Sequence, residues 1–380
     1  MSGRLLTSRA APVRQASVRA HNLALVLQTV ANAANRMSRA GVAAATGLTR
    51  ATVSALVDDL IAGGLLTELA PSPRSGAGRP AMGLALAADG PAGLGLEINV
   101  DYLAACVVDL TGAVRHRLVE HADQRPAGAA ASMAGLGVLA TRARKLAEAD
   151  GLTLAGAALA VPGLVTAAGL VRVAPNLGWQ DVAAPDLLHT VPALADLTVT
   201  VDNEANLAAL GELRADGAGQ DFVYVSGEIG IGAGIVLDGA LYRGVRGWSG
   251  EIGHLSVYPD GRPCRCGSRG CLEQYAGQEA IDAHGPDAAA TALGIALASV
   301  VSLLDVDTIV LGGGYAPLLP RLRPGIEAEL RRRVLTADLA PVTLRAATLG
   351  ADAAMRGAAD AVIRSVQADP AAWLSRAGRH

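Results

Sequence analysis

The sequence predicts an α/β body behind a small helical head. Three observations predict it. Basic residues crowd the first 80 positions, where nine Arg face only Asp58, Asp59 and Glu68. That head is net +6 and the remainder −9, which together make the −3 of the whole chain. Helical spacing dominates to about residue 62, whereas from Ala92 short apolar runs alternate with longer helical ones. One His and three of the four Cys then fall within 18 residues near the middle of the chain. At 380 residues the chain is too long for one compact core. Hydrophobic residues make up 51% but aromatics only 3%, so Leu, Val, Ile and Ala must fill the interior.

The head reads in order as follows. Residues 1–17, rich in Arg, Ser and Ala, are expected to be disordered. Leu23, Val26, Leu27 and Val30 then recur at helical spacing. Ser38 is placed to cap a short helix ending near Ala45, Thr46-Gly47-Leu48 reads as a tight turn, and Thr49 caps a helix running to about Ala62. On that second helix Val53, Leu56, Val57, Leu60 and Ile61 form one apolar face, and Thr49, Arg50, Ala51 and Ser54 lie on the other near its start. Helix, Gly-containing turn and helix make a helix-turn-helix, whose second helix enters the major groove N-terminus first. Arg50 can reach a guanine edge or a phosphate, and the small Ala51 and Ser54 allow close approach. A turn at Gly63-Gly64, a strand, a polar loop from Pro71 to Pro80 and a strand near Met82–Leu86 would form a wing. Gly78-Arg79-Pro80 could place the Arg79 guanidinium in a minor groove. A basic head on an acidic body expects only the head to meet a polyanion, here double-stranded operator DNA. The domain expectation is a winged helix-turn-helix over 18–87, a small lobe over 92–200 with a C-terminal helix near 351–366, and a large lobe over 201–350.

In the body, Leu94–Val100 and Leu103–Asp109 read as paired strands. Further strands are expected at Gly156–Val161, Leu197–Val201, Phe222–Ser226, Ile235–Leu237 and Thr308–Leu311, with helices near 128–149, 204–215, 289–304 and 318–334. Composition and pattern alone take this no further than α/β.

The His-Cys stretch is more specific. His254, Cys264, Cys266 and Cys271 are spaced His-x9-Cys-x-Cys-x4-Cys, a full N and S donor set for tetrahedral zinc with no open position. Glu251 and Glu273 bracket the four ligands, so the metal is expected to shape a polar pocket as well as staple a loop. No signal peptide is evident, and the longest apolar run, Ala292 to Leu304, is too short to span a bilayer. A cytoplasmic protein with no membrane partner is expected, a compartment whose reduced thiols favour zinc over disulfides.

Gly250-Glu251-Ile252-Gly253-His254 and Cys264-Arg265-Cys266-Gly267-Ser268-Arg269-Gly270-Cys271-Leu272-Glu273 closely resemble the motifs of the ROK family of sugar kinases and sugar-responsive repressors. The resemblance covers roughly residues 92–366. The head resembles the winged helix of the family's repressors, which its sugar kinases usually lack. The resemblance implies an actin-like ATPase fold of two α/β lobes around a cleft. It also implies a sugar site formed by Asn176, Asn203, Glu204, Glu251, His254 and Glu273, with His254 both ligating zinc and touching the sugar. Such a ring of donors and acceptors rejects analogues lacking a hydroxyl, because buried polar groups are then left unpaired.

The family's phosphate chemistry is altered in this sequence. Its Asp-x-Gly-Gly-Thr reads Glu97-Ile98-Asn99-Val100-Asp101 here, without either glycine. Its Gly-Thr-Gly loop becomes Gly227-Glu228-Ile229-Gly230, with a carboxylate where the γ-phosphate would sit. Two like charges at contact distance cost roughly 4 kcal/mol at an effective dielectric of 20. The family's general base, an Asp, is Glu204 in Asp202-Asn203-Glu204-Ala205-Asn206, one methylene longer. Phosphoryl transfer depends on phosphate positioning, so ATP binding and kinase activity are expected to be weak or lost.

The leading expectation is therefore a sugar-responsive transcriptional repressor, a dimer or tetramer reading a pseudo-palindromic operator. The runner-up is a bifunctional sugar kinase with a regulatory DNA-binding head. A third reading is a DNA-binding protein with a vestigial pocket and a protein partner.

Overall fold

The computed structural model describes residues 15–33, 35–70, 82–215, 219–227 and 230–377. Arg79 with the rest of the wing loop, and Glu228, lie outside the described residues. The chain divides into two compact units, residues 1–90 with 364–380 and residues 91–363.

In the first unit, α1 (Gln15–Ala31) buries Leu23, Val26, Leu27 and Val30 on one face. It starts inside the segment expected to be disordered, because a run of polar and small residues continues the helix without any apolar mark. The Ser38 hydroxyl accepts from the Gly41 N–H at 3.2 Å and opens α2 (Arg39–Thr46). The helix stops at Gly47, whose φ of 73° is left-handed and suits glycine. Thr49 accepts from the Thr52 N–H at 3.1 Å and caps α3 (Arg50–Ala62). The two helices cross at 117°, within the helix-turn-helix range. Val53, Leu56, Val57 and Leu60 are buried and Ile61 is half-buried. Strands β1 (Leu66–Leu69) and β2 (Gly83–Leu86) pair antiparallel from Leu66 opposite Leu86 to Leu69 opposite Gly83.

The second unit repeats one topology. Its first sheet holds β3 (Pro91–Ile98), β4 (Tyr102–Asp109) and β5 (Val114–His121), each antiparallel to its neighbour. After α4 (Gly128–Ala149) comes β6 (Thr153–Val161), parallel to β3. A small three-stranded sheet follows, β7 (Leu164–Val165), β8 (Leu170–Ala174) and β9 (Trp179–Ala183), then α5 (Ala184–His189) and β10 (Val199–Asn203) beside β6. After α6 (Glu204–Arg214), the second sheet holds β11 (Phe222–Gly227), β12 (Ile231–Leu237) and β13 (Ala240–Tyr242). Helices α7 (Glu273–Ala276), α8 (Gln278–His284) and α9 (Pro286–Leu304) precede β14 (Thr308–Gly313), α10 (Tyr315–Arg333) and β15 (Thr343–Ala346). The two sheets run β5-β4-β3-β6-β10 and β13-β12-β11-β14-β15. In each, three antiparallel strands are followed by two parallel ones, so the chain lays down the same lobe twice.

Each lobe has its own core, built mainly from Leu, Val, Ile and Ala. By length and composition α9 could cross a membrane; it begins six residues before the apolar run seen in the sequence, and 56% of its most apolar stretch is buried inside the fold. Helix α11 (Ala353–Ala368) packs Met355 and Ala359 on β4 beside Cys106. The final helix, α12 (Pro370–Ala377), packs against α1 and α3 of the first unit.

Candidate functional site

The donor atoms of His254, Cys264, Cys266 and Cys271 lie within 4.8 Å of one another. Cys264 Sγ is 3.9 Å from His254 Nδ1, and Cys266 Sγ is 3.6 Å from Cys271 Sγ. A metal about 2.3 Å from each sulfur would set tetrahedral edges of ~3.8 Å, so the four donors fit one ion. The backbone makes this geometry. Cys264 N–H bonds to the Ser268 carbonyl at 2.9 Å and Gly267 N–H to the Cys264 carbonyl at 3.1 Å, folding residues 264–268 into a tight turn. Leu272 N–H bonds to the Leu255 carbonyl at 2.8 Å and brings Cys271 back to His254. Cys106, the fourth cysteine, is buried in β4, where desolvation pushes its thiol well above the usual range.

A cavity of about 430 Å³ adjoins this loop. Asn176, Asn203, Glu204, Glu251, His254 and Glu273 all line it. They arrive from the turn after β8, the start of α6, the metal loop and α7. Nδ1 of His254 faces Cys264, and the same residue lines the cavity. Asn203 Oδ1 accepts from the Ala205 and Asn206 backbone N–H groups at 2.8 and 3.3 Å, and Asn203 Nδ2 donates to the Gly163 carbonyl at 2.9 Å. Asn203 is thus the α6 cap as well as a cavity residue. Asp202 beside it accepts two bonds from Arg243, at 2.9 and 2.8 Å. A Cβ on Gly230 would lie 3.3 Å from Asn176 Nδ2 and 3.4 Å from Glu273 Oε2, so glycine there leaves room for both tips. Burial pushes the Glu251 carboxyl above the usual range; Glu273 adds to the rise and His254 opposes it.

Glu204 also lines a second, much smaller cavity of about 20 Å³ with Glu97, Asn99, Tyr102, Tyr224 and Ser226. That space holds about one water. Side chains occupy its surroundings: the Tyr102 hydroxyl donates to Glu97 at 2.6 Å and accepts from Asn99 Nδ2 at 3.1 Å. The other Glu97 oxygen accepts from the Met355 N–H at 3.1 Å. Tyr224 is fully buried, and its hydroxyl takes the place a Cβ on Gly312 would need.

On the head, Thr49, Arg50 and Ala51 are exposed and Ser54 is half-buried. The Thr49 hydroxyl is already engaged by Thr52 Oγ1 at 2.8 Å. Arg19 pairs with Asp59, and Arg39 with Asp58 at 2.7 Å and Glu68 at 2.9 Å. Arg36 and Arg50 make no ion pair among the described residues. Arg36 packs beside Gly83 at the start of β2. Charge counting did not single out Arg36 and credited Arg39 with a charge that its own neighbours neutralise.

Arg262, Arg265 and His284 also line the large cavity and were not expected. A usable signal was present in Arg265, a cation between two candidate donors, Cys264 and Cys266.

The ROK family model matches residues 93–288 and 285–365. The chain belongs to the ROK family. The xylose repressor of Caldicellulosiruptor bescii is 34% identical over 265 residues, 68% of this chain and 64% of that repressor. The match therefore spans just under two thirds of the repressor's length. A ROK family transcriptional regulator, described as a homologue of the E. coli MLC protein, superposes with a TM-score of 0.77 at 24% identity, covering 95% of this chain and 98% of its own. A ROK glucokinase from Streptomyces griseus, solved with glucose and AMPPNP, superposes with a TM-score of 0.62 at 26% identity, covering 71% of this chain and 98% of its own. The fold is the two-lobed one that the motifs imply, and the regulator shares it over nearly the whole chain.

Proposed function

We propose that this chain is a sugar-responsive DNA-binding repressor whose ROK body is a sensor rather than a kinase. One observation carries the reading. The chain joins an exposed helix start in a helix-turn-helix to a polar cavity of about 430 Å³ beside four N and S donors that could hold one metal ion, and its first hairpin lacks both glycines of the family's phosphate motif. The repressor relative supports the reading.

Zinc is the metal that the N and S donor set fits best. It would hold His254 through Nδ1 and leave Nε2–H as a donor toward a sugar hydroxyl. Asn176, Asn203, Glu204, Glu251 and Glu273 would take the other hydroxyls. Thr49, Arg50, Ala51 and Ser54 would meet a major groove, with Arg36 on a phosphate and Arg79 in a minor groove. The protein acts in the cytoplasm as a dimer or tetramer on paired half-sites. Control requires unequal sugar affinity for the DNA-competent and DNA-incompetent states.

The test uses zinc-loaded full-length protein. A duplex selected from random sequence is titrated by fluorescence anisotropy, with and without glucose, mannose, xylose and disaccharides. A coupled ATPase assay runs on the same samples. A sugar that shifts DNA affinity without ATP turnover supports the sensor. Sugar-dependent ADP release at ordinary kinase rates makes the bifunctional kinase the better reading. Glu204, shared by both cavities, is the observation that keeps that alternative in view.

A further inference from the structure

The large cavity is more than a ring of hydroxyl partners. At about 430 Å³ it exceeds the roughly 200 Å³ that twelve close-packed heavy atoms of a hexose would fill. One wall, from the metal loop and α8, carries Arg262, Arg265 and His284. Arg262, exposed like Arg265 and His284, makes several contacts. Its backbone N–H donates to the Tyr275 hydroxyl at 2.7 Å and its Nη1 to the Gln274 carbonyl at 3.0 Å. Its Nη2 lies 3.0 Å from His284 Nε2, and the guanidinium stacks 5.0 Å from the Tyr275 ring centre. Arginine has no acceptor, so His284 accepts at Nε2 and its Nδ1–H is left to donate. None of these partners is a carboxylate, and Arg265 has no carboxylate partner among the described residues. A guanidinium oriented by these contacts, with N–H groups to spare and no carboxylate on it, can receive a planar or tetrahedral anion.

The cavity as a whole is not basic. Glu204, Glu251, Glu273 and Glu279 also line it, so a free anion gains little by entering. A molecule that is a neutral polyol at one end and an anion at the other satisfies both walls. We infer that the effector is a monosaccharide bearing an anionic group, phosphate or carboxylate, with that group on Arg262 and Arg265. The inference rests on the sugar-sensor reading and deepens it.

Isothermal titration of the zinc-loaded full-length protein tests this with glucose, mannose, xylose, maltose, glucose 6-phosphate, glucose 1-phosphate, mannose 6-phosphate, glucuronate and inorganic phosphate. At least one anionic sugar is expected to bind about tenfold or more tighter than its neutral parent. Which one wins distinguishes phosphate from carboxylate and one ring position from another. In Arg265→Ala, with zinc content checked, the ratio of anionic to neutral affinity is expected to fall toward one. Arg265→Lys keeps the charge but not the fork, and is expected to restore part of the ratio. A neutral monosaccharide or maltose binding as tightly as every anionic sugar overturns the anion assignment and leaves the sugar sensor standing. Inorganic phosphate binding as tightly as the best sugar phosphate also overturns it, because the polyol end then contributes nothing. If no sugar binds, charged or neutral, to protein that holds zinc and binds DNA, the sugar-sensor reading itself fails.

Discussion

The indole Nε1 of Trp373 donates to the Gly63 carbonyl at 2.9 Å. Gly63 ends α3 and Trp373 lies on α12, 310 residues later in sequence. Leu374 fills the space a side chain at Gly63 would need. The C-terminal helix is thus part of the head's fold.

Trp373→Phe is expected to lower the head's stability by about 1 kcal/mol through the lost hydrogen bond. Truncation after Asp369 is expected to cost more, because apolar contacts to α1 and α3 go as well. Hydrogen exchange of the α1 and α3 amides, set against those of β3 and β6, reads this out. Equal protection in the truncated and full-length proteins would remove α12 from the head.

Arg50 and Arg36 are expected to behave differently. Arg50→Ala should weaken binding to a selected duplex by about 1–3 kcal/mol and relax its preference at one base pair, as loss of a base contact does. Arg36→Ala should weaken specific and random duplexes alike and reduce the salt slope by about one, as loss of a phosphate contact does. Anisotropy titrations between low and moderate salt separate them. An unchanged affinity and slope for either variant takes that residue out of the interface.

The head's helices were legible because their signals are local. Ser38, Gly47 and Thr49 each act on backbone within a few residues, and each stands where its chemistry predicts. The grouping of His254, Cys264, Cys266 and Cys271 was legible for a similar reason: three S donors and one N donor at short spacing suit a single metal ion. The ring of Asn176, Asn203, Glu204, Glu251, His254 and Glu273 needed the family resemblance, since no spacing rule joins position 176 to 273. Long-range pairings were not legible at all. Nothing in the sequence ties Trp373 to Gly63, or shows that Asp58 and Glu68 neutralise Arg39. The small sheet of β7 to β9 escaped notice because its strands are only two to five residues long.

Tyr102 gives the altered phosphate site a testable structural role. Its hydroxyl bridges Glu97 and Asn99, both buried, so Tyr102→Phe removes one hydrogen bond from each. The expected cost is about 1–3 kcal/mol in urea denaturation. A phosphate site kept open for ATP would not need this bridge. A variant as stable as the parent, with measurable ATP binding, would reverse the reading of the hairpin.

Proton competition offers the sharpest test of the metal loop. Burial, then the Cys266 and Cys264 sulfurs beside it, pushes the Cys271 thiol up to about 12. A bound dication must displace such protons, since thiolate rather than thiol is the ligand. Protons therefore win as pH falls, and zinc affinity is expected to drop by up to about tenfold per pH unit for each proton displaced. Competition with a chelator of known affinity at pH 6, 7 and 8 measures this. Cys266→Ser removes one of the four donors and is expected to cost at least about 100-fold in zinc affinity, since loss of a mere outer partner costs ~10–100-fold. Because Nδ1 of His254 lies beside the Cys264 sulfur and His254 also lines the large cavity, sugar affinity is expected to fall in the same variant. Normal sugar affinity in zinc-free Cys266→Ser protein would separate the metal from the pocket and leave it a loop staple.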